Sequence, residues 1–297
     1  MGGRIDPAPN MPSPAPNGTR QSASLYDRND YYGNDPGAQR VTALLDGALH
    51  WLDRRRAAFV HRVVGGKPSR VLDVGAGDGK FLHFVRELGH DVAGTTASQR
   101  SQSAAMRRYG IGLDYCDVGA TDFPAGPFDV ITYWHVFEHL GDPAGHVASW
   151  QRLLTKGARV IIEVPNAEAL GARFGGSAWL GSDPIHHINM CSKAELERTL
   201  REAGFAIEQT GQMSAKFTYV YLWSGMLGGA FPGTYDFDSV LDIIRFPLRS
   251  LRNRPLPTLN ALAAVVYMLP AIVPLAAVAP LLGRGEVWRI VARKTNG

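Results

Sequence analysis

Val71-Leu72-Asp73-Val74 runs straight into Gly75-Ala76-Gly77-Asp78-Gly79, and Lys80–Leu88 follows with apolar residues at helical spacing. A short apolar run suits a strand buried on both faces. A strand that feeds a helix through a glycine turn opens a βαβ unit. A chain that starts this way is directed to a parallel sheet, because parallel strands need crossover helices to connect them. The glycines allow the sharp turn and let a ligand lie against the backbone with no Cβ in its way. Two common ligands fit poorly. The dinucleotide fingerprint wants a third glycine at position 80, where Lys80 stands, and a phosphate loop wants Ser or Thr after Gly79-Lys80, where Phe81 stands.

Later segments continue the alternation. His90–Gly94 reads as a second strand, Leu113–Val118 as a third and Phe128–Tyr133 as a fourth. Leu153–Gly157 reads as a helix end capped by Gly157, and Arg159–Asn166 as the fifth strand. Ser192–Glu195 forms a capping box that opens a helix running to Gly204, and Phe205–Glu208 begins a sixth strand. Glu286–Arg293 alternates and closes the series.

Asp73 followed by G-x-G-x-G resembles motif I of the class I S-adenosylmethionine-dependent methyltransferases, and the later segments arrive in that family's order. The resemblance covers about residues 40–212 and 285–297 and points to the branch of ubiquinone-pathway O-methyltransferases. It implies an α/β, Rossmann-like methyltransferase sheet of seven strands, the last one antiparallel, with helices on both faces. Residues 1–38 then form a tail and lead-in, 39–212 with 285–297 the core, and 213–284 a hydrophobic insertion between the last two strands. The implied cofactor is S-adenosyl-L-methionine and the partner a small-molecule acceptor. Asp73 would contact the methionine amino group, and Gly75, Gly77 and Gly79 would form the cofactor loop. An acid gripping the ribose is expected about 20 residues after the turn. Thr96 stands there instead, and a hydroxyl lacks the charge assistance of a carboxylate. Asp117 takes the adenine side.

Trp134–Pro143 follows the fourth strand, at the end of the sheet where α/β proteins hold ligands. His135, Glu138 and His139 fall at i, i+3 and i+4 and would share a face on one helical turn. Three readings compete. H-x-x-E-H is a zinc-hydrolase pattern in which two imidazoles hold the ion and the glutamate acts as base, but Leu140-Gly141-Asp142-Pro143 breaks the helix at once. The resemblance offers a divalent metal held by acids here with a downstream His186 or His187. The third reading makes His135 or His187 a general base or acceptor-positioning group. Methyl transfer is an in-line displacement with an activated leaving group, so the protein mainly orients the nucleophile and takes its proton. The adopted assignment gives catalysis to His135 and His187 and no residue to a metal. Glu138 and His139 serving only the strand–helix loop is the plain alternative.

About seventy residues, Gly211 to Gly285, separate the last two strands, far beyond a hairpin loop. Ala215–Trp223 is aromatic-rich, Val240–Arg254 carries four arginines at amphipathic spacing with a kink expected at Pro247, and Pro255–Gly283 has no charge. One transmembrane pass would strand the last β-segment away from its sheet, so a hairpin bent at Pro270 or Pro274 is expected instead. It could lie in a membrane interface, form a lid over the acceptor cleft or make an oligomer contact. Basic sequence beside it favours peripheral membrane contact through 240–283, and the expected acceptor is an apolar or lipid-linked hydroxyl. A non-catalytic, methyltransferase-like membrane-binding module is the rival, with Thr96 in its favour.

The net charge of +4 is too small to point to nucleic acid, and no nucleic-acid partner is expected. Two cysteines exclude a disulfide scaffold and suit a reducing compartment. Pro-, Ser- and Asn-rich residues 1–24 read as a disordered tail without a secretory core. The expected location is cytoplasmic, peripheral at the inner face of the membrane.

Overall fold

Seven strands form one sheet in the order β3-β2-β1-β4-β5-β7-β6. They are β1 (Arg70–Val74), β2 (Asp91–Thr96), β3 (Asp114–Tyr115), β4 (Phe128–Trp134), β5 (Leu154–Pro165), β6 (Phe205–Gly211) and β7 (Val287–Lys294). Strands β3, β2, β1, β4 and β5 pair parallel, and β7 runs antiparallel to β6, as expected. This computed structural model describes residues 36–116, 126–211 and 215–295. The N-terminal tail and Asp117 lie outside them.

Alternation along the strands produces two cores. Leu72, Val74, Ile131, Tyr133, Val160 and Ile162 point to one face. There they meet Val147 and Trp150 of α4 (Pro143–Leu153) and Leu196 and Leu200 of α6 (Lys193–Glu202). Val71, Val130, Ile161 and Val291 point to the other. That face packs on α1 (Pro36–Val63) through Ala57 and Val60, on α2 (Lys80–Glu87) through Phe81, Leu82 and Val85, and on α3 (Gln99–Tyr109) through Ala105. Central strands buried on both faces are why 71–74, 128–134 and 160–164 read as nearly continuous apolar runs.

Three local readings are corrected. The second strand continues to Thr96, because its last residues pair with β3. Strand β3 is only Asp114–Tyr115 among the described residues. Gly157 does not cap a helix: α4 stops at Leu153 and β5 begins at once. Gly157 sits inside β5 at φ +73, where the register slips from Phe128↔Leu154 to Val130↔Arg159. Its left-handed conformation lets the strand absorb the extra residues as a bulge. The capping box is present as read, with Ser192 accepting from Glu195 N–H and Glu195 accepting from Ser192 N–H.

The chain forms two compact units. One holds the sheet and comprises the described residues of Gly18–Val164, Cys191–Met213 and Trp288–Gly297. The other comprises Pro165–Met190 and the described residues of Ser214–Val287. It contains α5 (Leu170–Gly175), α7 (Ala215–Ala230), α8 (Phe237–Arg245), α9 (Pro247–Asn253), α10 (Pro255–Tyr267) and α11 (Leu269–Val278). Its own core includes Trp179, Leu222, Leu227, Val240 and Ile272. Helices α5 and α7 touch backbone to backbone: a Cβ on Gly225 would lie 2.3 Å from the Gly171 carbonyl oxygen. The carboxylate of Glu286 accepts from Gly171 N–H at 2.9 Å and Trp179 Nε1–H at 2.8 Å, and burial raises its pKa to about 7.

Pro247 separates α8 from α9 as the amphipathic pattern suggests, standing in the first turn of α9. The uncharged stretch bends between Tyr267 and Leu269, beside Pro270, while Pro274 stays inside α11. The bend is 59°, an elbow rather than the expected hairpin. Among the described residues no single helix is long and apolar enough to cross a membrane.

Candidate active site

The order of strands reverses between β1 and β4, the switch point where α/β sheets bind ligands. Asp73 and Thr132 are register partners there. Thr132 Oγ1–H donates to Asp73 Oδ1 at 2.6 Å. Asp73 is buried, and loss of solvent raises its pKa to about 7 even though Thr132 and Arg56 favour the carboxylate. A buried acid with this pKa is poised to meet a cation.

The glycine turn leaves β1 directly. Thr95 on β2 fastens it: Gly75 N–H donates to Thr95 Oγ1 at 3.2 Å and Ala76 N–H to the Thr95 carbonyl at 2.7 Å. The three glycines have different duties. A Cβ on Gly75 would sit 2.5 Å from Val136, and one on Gly79 2.9 Å from Ala105, so both are needed for packing. Gly77 has φ +55 and nothing within 4 Å of where its Cβ would be. A ligand could therefore lie against the backbone at Gly77 without meeting a side chain. Gly77→Ala is therefore expected to cost about 1–2 kcal/mol of stability through the left-handed backbone. S-adenosylhomocysteine affinity should fall at least tenfold. Titration calorimetry on the folded variant checks this, and unchanged affinity would remove Gly77 from the site.

Thr96 ends β2, buried, and its hydroxyl accepts from Ser98 N–H at 3.3 Å. It stands where the ribose acid was expected.

At the end of β4, His135 adopts a left-handed conformation, φ +56. Such backbone strain in a residue other than glycine is concentrated at functional positions. The short 3-10 helix that follows spans only Phe137–His139. His135, Glu138 and His139 therefore do not share one α-helical face. The His135 ring lies between two carboxylates: Nδ1 is 3.4 Å from Glu138 Oε1 and Nε2 is 3.5 Å from Glu163 Oε1. Burial lowers its pKa, but Glu138 and Glu163 outweigh that and raise it. Carboxylates on both sides of the ring favour its protonated form.

Glu163 is the hub. It is fully buried on β5, opposite Trp134 in register, and forms ion pairs with Arg56 of α1 and Arg289 of β7. Burial opposes its charge, yet the two arginines and His135 hold its pKa far below the usual carboxylate range. The guanidinium of Arg56 also lies 4.7 Å from the Trp134 ring centroid and that of Arg289 5.3 Å. The sequence reading missed Thr95, Thr132, Glu163, Arg56 and Arg289. Thr132 and Glu163 did carry a signal, as polar residues inside the apolar runs FDVITYW and RVIIEVP.

His187 belongs to the other unit. Its Nδ1 lies 2.9 Å from the Gly181 carbonyl, which places a proton on Nδ1. Neighbouring His186 Nδ1 lies 2.8 Å from Asp183 Oδ1.

Residues 48–210 match the family of methyltransferase domains. A ubiquinone biosynthesis O-methyltransferase of Thiobacillus denitrificans is 34% identical over 186 residues, covering 58% of this chain and 77% of that protein. Geranyl diphosphate C-methyltransferase of Streptomyces coelicolor superposes with a TM-score of 0.55 at 16% identity, covering 95% of this chain and 100% of that one. Burkholderia thailandensis 1,6-didemethyltoxoflavin-N1-methyltransferase does so at 0.52 and 16% identity, covering 97% and 94%. The two structures share the fold. With the family match spanning more than half of the sequence, this chain belongs to the class I S-adenosylmethionine-dependent methyltransferases.

Proposed function

We propose that this methyltransferase acts on oxygen, methylating a hydroxyl of an apolar or lipid-linked small molecule. The observation that carries the reading is the relative at 34% identity, which is named for O-methylation in ubiquinone biosynthesis. The uncharged stretch 255–283 supports the apolar character of the acceptor.

S-adenosylmethionine brings a methyl group on a sulfonium, a leaving group already activated. The work left to the protein is to hold, orient and deprotonate. Asp73 would hold the amino group, the Gly75–Gly79 backbone would let the cofactor lie close, and Thr96 and Asp117 would take the nucleoside. Glu138 and Glu163 on either side of His135 favour its protonated form, which suits fixing the loop after β4 better than accepting a proton. With Nδ1–H given to the Gly181 carbonyl, Nε2 of a neutral His187 would be the atom that takes the acceptor's hydroxyl proton.

Incubation with methyl-deuterated cofactor and a long-chain alkyl catechol should give a product whose label sits on oxygen. His187→Asn should lower kcat by about 10²–10⁴-fold while leaving S-adenosylhomocysteine affinity unchanged. Label on nitrogen or carbon across a panel of acceptors would overturn the reading.

A further inference from the structure

We infer that the elbow formed by α10 and residues Leu269–Leu282 is a membrane wedge, seated in one leaflet of an anionic bilayer. The inference does not depend on which atom is methylated.

The first ground is exposure. Leu256, Val266, Leu281 and Leu282 are 77%, 69%, 83% and 71% exposed, and Leu259 and Val273 are about half exposed. They come from a stretch with no charged residue between Pro255 and Gly283. Proteins that live in water rarely leave contiguous apolar patches beyond about a few hundred Å². The inward side of the same two helices is already satisfied: Ala261, Ala264, Met268 and Ile272 are buried in the unit's own core.

The second ground is length and shape. Helix α10 has 13 residues, about 20 Å at 1.5 Å per residue. That falls short of the ~30 Å hydrocarbon core, and the 59° bend follows. The flanking strands fix the same conclusion. β6 and β7 pair antiparallel from Phe205↔Lys294 to Gly211↔Arg289, so the chain leaves β6 and re-enters as β7 at the same end of the sheet. Whatever the segment enters, it enters and leaves from one side.

The third ground is charge. Arg245, Arg249, Arg252 and Arg254 precede the apolar stretch and Arg284 follows it; Arg249 pairs with the exposed Asp242 at 2.8 Å. Arginine at both ends of an apolar element places cations at headgroup depth, where anionic lipid attracts them. This complementarity selects an anionic bilayer over a second copy of the chain, whose elbow would bring the same arginines together.

Flotation of the full chain with vesicles of phosphatidylglycerol and phosphatidylethanolamine tests the wedge. The native protein should float and should stay with the vesicles in 1 M NaCl, because apolar burial survives screening. It should float less with phosphatidylcholine alone. Leu256→Glu/Val266→Glu/Leu281→Glu should stay at the bottom while keeping its S-adenosylhomocysteine affinity and thermal midpoint. Native protein at the bottom with both vesicle types overturns the inference. So does a native dimer that the triple variant converts to monomer without flotation by either. Release of the native protein by salt would overturn the wedge in favour of surface adsorption.

Discussion

Asp73→Asn should weaken S-adenosylhomocysteine binding at pH 8 by tenfold or more, at least about 1.4 kcal/mol, and at the same time make the ligand-free protein more stable. The two effects share one cause. Burial raises the native pKa of Asp73 from 3.8 to about 7, so ionising it in the empty protein costs folding free energy. A raised native pKa contributes stability that is complete below the unfolded value. That stability is lost as pH rises through the folded one. Stability should therefore decline between pH 4 and 8 in the native protein, and the decline should flatten in Asp73→Asn, with a gain of about 2–4 kcal/mol at pH 8. Asparagine keeps an acceptor for Thr132 and carries no charge. Ligand binding has the opposite pH dependence: a cationic amino group needs the carboxylate, so native affinity should tighten from pH 6 to 8 with release of a proton. Calorimetry in two buffers of different ionisation enthalpy measures that proton. A native affinity flat across this range would disconnect Asp73 from the amino group.

Glu163→Gln should destabilise the protein by about 3–5 kcal/mol, because it leaves buried Arg56, Arg289 and His135 without their shared counter-charge. For a chain of this size that lowers the thermal midpoint on the order of 10 °C. A drop of under 2 °C would show that the ion cluster is solvated and energetically slack. The pH window follows from the two shifts. Glu163 has a depressed pKa and contributes stability above its ordinary 4.5, lost only as pH falls toward its native value. His135 has a raised pKa and contributes below its ordinary 6.5, lost as pH rises through its native value. The cluster stabilises most between these limits. Replacing Arg56, Glu163 and Arg289 together by methionine should recover much of the loss, since burying apolar side chains of similar volume removes the desolvation cost.

The sheet was legible because its central strands are apolar on both faces and its glycine turn sits directly at a strand end. What failed was local. Gly157 looks like a helix cap because a glycine after Lys156 fits that pattern, yet the same left-handed dihedral serves a bulge equally well. Helix α1 left no trace in the reading, since 36–63 mixes arginines and apolar residues with no clean apolar stripe. The site was half legible. Asp73, the glycines and Thr96 follow from order along the chain. Arg56, Glu163 and Arg289 are far apart in sequence and meet only through the sheet. Of these, only Glu163 stood out, as an acid inside a strand otherwise apolar.

Strand β7 follows all of 215–286 in the chain yet lies between β5 and β6 in the sheet. A seventy-residue detour must be synthesised before the gap between those strands can close. Until then β5 and β6 present unpaired edges, the template on which chains pair wrongly with one another. Closing so long a loop is entropically costly and kinetically slow. Assembly of the sheet is therefore timed by the apolar segment.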